Sequence, residues 1–229
     1  MDHFNSYYTH FHFIILFIEF RISFTFIICL VVLYFGLSYL ADTKIKNIYV
    51  YGNNLLTDQE VIELAKVEDY PSFYKTLSRT IKKNIKTNPI IKEVKIRKSF
   101  FNVLNIYITE YKPLFIKGDK LILEGGISTD IVECKVPVLT NEVDSDVYND
   151  FIKEMLKLKS SVRGQISEIT YAKSEYDNSR FLLYMDDGNH VYVNIAKFSK
   201  LNYYDEIYPT LNNKKGTLYL DSGNHFEVF

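Results

Sequence analysis

Ile22 to Leu40 constrains this chain more than any other stretch. It reads ISFTFIICLVVLYFGLSYL, 19 residues without a charge. At a rise of about 1.5 Å per residue it makes roughly 29 Å of helix, close to the roughly 30 Å hydrocarbon thickness of a bilayer. Ser23, Thr25 and Ser38 can return their hydroxyls to helix carbonyls, and Gly36 is tolerated in lipid. Tyr34 and Tyr39 suit the aromatic belt at the interface. The competing reading is a cleaved signal peptide. Its apolar core would be shorter, and no clean small-x-small cleavage site stands out beyond Gly36, Ser38 and Ala41. A transmembrane helix over 22–40 is therefore expected, with everything after Ala41 on one side of a membrane.

Residues 1–21 form a leader of unusual composition. Phe11 to Phe20 is nearly as apolar as the span, until Glu19 and Arg21 interrupt it. Lys44 and Lys46 lie on the far flank, so the positive-inside rule does not settle orientation and, taken literally, slightly favours the large domain inside. One explanation is a start codon assigned too early. The next Met is Met155, so a non-standard start would be needed. The alternative is an apolar leader at the interface.

About 190 of the 229 residues follow the span, enough for one or two small domains. The formal net charge of -1 argues against a general nucleic-acid binder. With 19 Tyr, 17 Phe and no Trp, the composition favours β-rich packing. Cys29 sits in the span and Cys134 beyond it, so no disulfide framework exists and cysteine gives no compartment.

In residues 44–113, Ile45 to Tyr51 alternates as a strand before Gly52-Asn53-Asn54. Thr57 and Glu60 make a capping box at the start of a helix. Pro71-Ser72 introduces a second helix, with Phe73, Leu77, Ile81 and Ile85 as one stripe, ended by Asn88-Pro89. Two alternating strands around Ser99 to Asn102 complete a β-α-α-β-β order. Lys75 to Lys98 carries nine Lys or Arg and one acid, Glu93. That run fits a solvated helix and strand face, or weak contact with anionic lipid or an anionic envelope polymer.

Residues 114–229 open with the reverse balance, eight acids and two lysines over 119–150. Short strands are expected at 121–123 and 136–139, a helix over 146–159, and strands from Ile166. Asp186-Asp187-Gly188-Asn189 turns one hairpin, a helix covers 197–211, and a last hairpin turns at Asp221 to Asn224. The chain stops on that final strand. The two hairpins match at Tyr, Asp, Gly, Asn, His and Val, which reads as shared turn chemistry rather than duplication.

Ile48-x-Val50-x-Gly52-Asn53, Asn88-Pro89-x-Ile91-x-x-Val94 and Ile106-x-Ile108-x-Glu110-x-x-Pro113 together resemble a POTRA domain. More narrowly, they resemble the POTRA domain of the bacterial cell-division proteins FtsQ and DivIB, where one anchor also comes just before it. The VPVL segment, the helix after it, the Lys200-Leu201-x-x-Tyr204 helix and the terminal Tyr-Leu-Asp strand are similar to that family's second, β domain. The missing basic leader departs from the pattern, as does the lack of a C-terminal tail. The implied fold is α+β: an N-terminal transmembrane helix, a POTRA domain over 44–113, and a mostly antiparallel β domain with flanking helices over 114–229.

The resemblance implies a non-enzymatic divisome scaffold in the cell membrane, with extracytoplasmic domains, concentrated at the septum. It would join FtsB/DivIC-like and FtsL-like division proteins and help control septal peptidoglycan synthesis, by strand addition to the terminal β edge. Thr217, Tyr219, Phe226, Val228 and Phe229 are the expected contacts, weighed against simple packing in the β core. No cofactor is implied. Tyr184-Met185-Asp186-Asp187 spells the box that holds metals in reverse transcriptases, but its context is missing and a plain hairpin turn is expected. His190 and His225 would need the two hairpins adjacent, plus Asp186 or Asp221, to bind a metal; strand-edge roles are expected instead. No nucleotide loop, zinc-protease or serine-hydrolase motif is present. A membrane-tethered sensor or enzyme, or a POTRA-bearing assembly component, is the alternative.

Overall fold

The computed structural model describes the backbone of residues 2–211 and 214–229, and the side chains of 20–211 and 214–229. The leader's side chains lie largely outside the described residues. Helix α1 runs Asp2–Asp42, and its segment Phe20–Asp42 is long and apolar enough to cross a membrane, with none of that segment buried against the protein.

The first unit is a three-stranded sheet with two helices on one face. Its elements are β1 (Asn47–Tyr51), α2 (Asp58–Ala65), α3 (Ser78–Ile85), β2 (Ile91–Ser99) and β3 (Val103–Glu110), with sheet order β1-β3-β2. β1 pairs with β3 in parallel and β2 pairs with β3 antiparallel. The capping box forms: the Glu60 amide donates to Thr57 Oγ1 at 3.2 Å and the Thr57 amide donates to Glu60 Oε2 at 2.7 Å. Those bonds hold the Glu60 carboxyl below its ordinary range.

Two motif residues have clear work to do. Gly52 takes φ +85°, and a Cβ there would stand 2.2 Å from the Ile108 carbonyl oxygen, so only glycine lets the two strands pass. Glu110 accepts the amides of Asn54, Leu55 and Leu56 at 2.8, 2.8 and 3.1 Å, fixing the loop after β1 to the end of β3. Bonds to a charged acceptor are stronger than neutral ones, which is why a carboxylate serves there.

The second helix begins later than its apolar spacing implies. Residues 71–77 form turns, and Leu77 is the exposed N-cap residue of α3 rather than part of a buried stripe. The cause is tertiary. The Phe73 amide donates to the Thr43 carbonyl at 2.8 Å and the Ile45 amide donates to the Pro71 carbonyl at 3.0 Å. This segment spends its backbone on the chain emerging from α1 instead of on a helix.

The second unit is built on β4 (Pro113–Lys117), β5 (Lys120–Leu123), β6 (Ser128–Asp130), β7 (Val138–Leu139), α4 (Ser145–Lys157), α5 (Ser160–Arg163), β8 (Ile166–Tyr171), β9 (Arg180–Met185), β10 (His190–Asn194), α6 (Tyr204–Ile207), β11 (Gly216–Tyr219) and β12 (His225–Val228). One nine-stranded sheet runs β12-β11-β10-β9-β8-β7-β4-β5-β6. Most neighbours are antiparallel, while β4–β7, β7–β8 and β10–β11 are parallel, so the sheet is mixed and the class is α+β.

α4 covers one face of this sheet. Phe151 lies 4.6 Å from Phe181, 5.1 Å from Phe115 and 5.8 Å from Phe198, ring centre to ring centre. All four rings are fully buried. The helix expected over 197–211 is instead a 3₁₀ stretch, Ile195–Tyr203, followed by the single turn α6 and a second 3₁₀ turn, Tyr208–Leu211. Phe198, Leu201 and Tyr204 recur every third residue and are buried together, matching three residues per turn. The two units share packing: Leu121 and Leu123 of β5 join the first unit's core, while Ile122 points into the second.

Candidate functional site

The terminal hairpin begins at Gly216. That residue pairs with Val228, and Leu218 pairs with Phe226. Leu218 is buried in the core and Phe226 packs partly against that core, so these positions face inward. Thr217, Tyr219, His225 and Glu227 alternate to the opposite, open face.

The hydrogen-bond pattern then decides which backbone groups are available. The Phe229 amide donates to the Lys215 carbonyl at 3.1 Å, making 229 and 215 a bonded pair. In an antiparallel ladder bonded pairs alternate, so Glu227 and His225 also point toward β11. The N–H and C=O groups of Phe226 and Val228 therefore face outward. β12 is an edge of the sheet, and among the described residues no strand occupies its outer side.

Of the five expected contacts, Phe226 and Val228 supply this edge. Val228 is 56 % exposed and Phe229 70 %. Thr217 and Tyr219 are one strand in, on β11, between β10 and β12, so their backbones are occupied and only their side chains face solvent. The five residues thus divide between the rim and the open face.

That open face carries residues the sequence reading missed. Tyr192 stacks on Tyr219 at 5.4 Å and Tyr219 stacks on His225 at 4.6 Å. The Arg180 guanidinium lies 3.8 Å from the Tyr192 ring centre and its Nε donates to Asp221 Oδ2 at 2.6 Å. The row crosses four strands, from β9 to the edge, and a planar cation on an aromatic face is favourable. A second row runs Tyr184, His190, Phe229, with ring centres 4.7 and 4.9 Å apart. The signal was in the matching hairpins: each places a Tyr opposite a His across the turn, Tyr184 with His190 and Tyr219 with His225. On the core face, Lys200, Tyr203, Ile207, Leu218, Leu220 and Asn224 line a cleft of about 390 Å³ behind the hairpin.

The aspartates of the Tyr184 to Asp187 box are used structurally. Asp186 pairs with Lys135 at 2.6 Å. Asp187 accepts the Tyr204 hydroxyl at 2.7 Å and the Asn189 amide at 2.8 Å, within a turn that carries Gly188 at φ +85°. Burial, reinforced by the Asp187 bond, pushes the Tyr204 phenol well up. Asn189 is fully buried, and its Oδ1 accepts the Gly216 amide at 3.0 Å, so this turn locks the start of β11. His190 and His225 stand on different strands, each against an aromatic ring.

The basic run of Lys75 to Lys98 does not form one face. Arg79, Lys82 and Lys83 are exposed on α3, while Lys95 and Arg97 are exposed on β2 opposite buried Val94. Lys92 is taken by Glu124 at 2.9 Å and Lys75 by Asp42 at 3.0 Å. Lys98 donates to the Phe73 and Thr76 carbonyls, and burial pushes its ammonium pKa down. The run is sequential, but α3 and β2 turn their outer surfaces in different directions.

Comparison with known proteins follows the same division. Residues 43–111 match the family model "POTRA domain, FtsQ-type", and 115–222 match "Cell division protein FtsQ/DivIB, C-terminal". Cell division protein DivIB of Bacillus cytotoxicus is 32% identical over 187 residues, 78% of this chain and 72% of that protein. DivIB of Geobacillus kaustophilus is 30% identical over 219 residues, 90% of this chain and 82% of that protein. A solved structure, the major extracytoplasmic domain of the trans isomer of DivIB from Geobacillus stearothermophilus, is 24% identical. It covers 45% of this chain and 96% of that one with a TM-score of 0.36. On the two family models and relatives matched over most of their length, the chain belongs to the FtsQ/DivIB family of cell division proteins.

Proposed function

We propose that this protein is a non-enzymatic, single-pass scaffold of the bacterial division machinery. In this reading residues 22–40 span the cell membrane, and the POTRA domain (44–113) and β domain (114–229) lie outside the cytoplasm at the septum. FtsB/DivIC-like and FtsL-like coiled-coil proteins are its partners, and holding them together helps control septal peptidoglycan synthesis. One observation carries the mechanism: the outward N–H and C=O groups of Phe226 and Val228 on an edge strand with exposed apolar neighbours. Such an edge invites a partner strand, main-chain bonds giving affinity and alternate side chains giving specificity. The aromatic rows on the open face give that partner a second surface to read.

The assignment is tested by imaging a fluorescent fusion in dividing cells. Midcell bands that disappear when residues 44–113 are deleted are expected. A uniform envelope signal throughout division would remove the divisome reading.

A further inference from the structure

The turn between β2 and β3 presents Phe100 and Phe101 almost wholly to solvent, 89 % and 86 % exposed. Two adjacent phenylalanines on a hairpin tip are costly in water and need a partner of some kind. Phe101 adopts φ +62° and Asn102 φ +60°, left-handed conformations that a bulky aromatic rarely takes.

The topology fixes where this tip points. β1 starts at Asn47, close after the end of α1, and its first residue is in register with Val103, the first residue of β3. Because β1 and β3 are parallel, both run away from the anchor, and the tip that precedes β3 lies at the anchor's end of the sheet. The Lys46 amide donates to the Asn102 carbonyl at 3.0 Å, binding the tip directly to the linker. Lys46 is only four residues beyond Asp42, a reach of at most about 14 Å.

The segment between α2 and α3 arrives at the same end. Ser72 Oγ donates to the Ala41 carbonyl, the Lys44 and Ser72 backbones bridge, and Lys75 pairs with Asp42. This segment adds Tyr74 and Leu77, 51 % and 62 % exposed. Lys44, Lys46 and Lys75 are exposed in these same segments, Lys75 paired with Asp42. Exposed aromatic and aliphatic side chains with Lys44 and Lys46 in the same segments, held at the end of the apolar helix, match the chemistry of a bilayer interface with anionic headgroups.

We infer that the anchor-side rim of the first unit docks on the bilayer that holds α1, with Phe100 and Phe101 set into the lipid interface. This rests on the reading of α1 as a membrane span. Docking at the tip and at the 70–77 segment gives the domain two attachments besides the helix. The unit then stands in one orientation on the membrane, and the β12 edge is carried at a defined height above it.

The test uses the full-length protein in vesicles of mixed phosphatidylglycerol and phosphatidylcholine, in a Cys29→Ser, Cys134→Ser background. A fluorophore is placed singly at Phe100→Cys, at Val31→Cys within the span, or at Tyr176→Cys, which is 96 % exposed in the second unit. Nitroxide-bearing lipids should quench the probe at 100 several-fold more than the probe at 176. A Phe100→Asp, Phe101→Asp pair should remove lipid quenching from a probe at Tyr74→Cys. Quenching at 31 but not at 100 overturns the docking while leaving the anchor intact. No quenching at 31 or at 100 overturns the anchor and the docking with it. A probe at 100 protected from aqueous iodide yet untouched by lipid quenchers means that protein, a partner or a second copy, covers the tip, and also overturns it.

Discussion

If a partner strand adds to β12 as proposed, replacing Gly216 with alanine will weaken its capture about 100-fold or more while the rest of the protein stays folded. The new Cβ would stand 2.0 Å from the Glu227 carbonyl oxygen and 2.8 Å from Phe226 Cζ. Contacts that close are not tolerated, and the first is to backbone, so β12 must move away from β11. The outward groups of Phe226 and Val228 then lose their place at the sheet edge. Titration of the variant with the extracytoplasmic segment of a DivIC-like protein, the proposed partner, should show that loss, roughly 2.7 kcal/mol. Tyr176→Ala is the control, because that side chain is 96 % exposed in the loop between β8 and β9, outside the terminal hairpin. If Gly216→Ala binds normally, the partner does not use this edge.

The largest effect on stability is expected at Phe151. Its ring holds α4 against Phe115, Phe181 and Phe198, which come from β4, β9 and the 3₁₀ stretch. Truncation to alanine removes buried apolar surface and leaves a cavity between rigid elements, costing about 3–5 kcal/mol. Domains of this kind are stable by only about 5–15 kcal/mol in total, so little margin remains. Thermal unfolding of the full chain in detergent should show the midpoint lowered by roughly 10 °C. A shift of a degree or less would mean that α4 is not anchored through this ring.

Much of the fold is legible in the sequence where the cause is local. Thr57 and Glu60 announce α2 because a capping box is satisfied within four residues. Asp187-Gly188 announces the β9–β10 hairpin because the turn needs a residue at positive φ. Legibility fails where distant backbone decides. Phe73 and Leu77 repeat at helical spacing, yet the chain leaving α1 claims the backbone around them for turns. Phe198, Leu201 and Tyr204 serve a three-residue and a 3.6-residue period almost equally, and packing against α4 and the sheet selects the tighter one.

The candidate edge was legible in part for the same reason. The terminal strand and its aromatics are visible in the sequence, and so is the turn between β11 and β12. The parallel pairing of β10 with β11 is not. Thr217 and Tyr219 therefore looked equivalent to Phe226 and Val228, although β11 is enclosed and β12 is open. The open-face row from Arg180 to His225 needs that same pairing before its members meet. Asn189 illustrates the reverse: it reads as an ordinary turn residue, but tertiary structure buries it and makes its side chain the acceptor for Gly216.

Amide hydrogen exchange at Phe226 and Val228, with and without a segment of the proposed DivIC-like partner, tests the central claim most directly. In the free protein both amides face outward and should exchange quickly, while Glu227 and Phe229, bonded toward β11, exchange more slowly. Binding should slow Phe226 and Val228 by at least about tenfold, since each gains a main-chain bond in the added strand. Saturating partner that leaves both amides exchanging at their free rates, with protection arising elsewhere, would contradict strand addition at this edge.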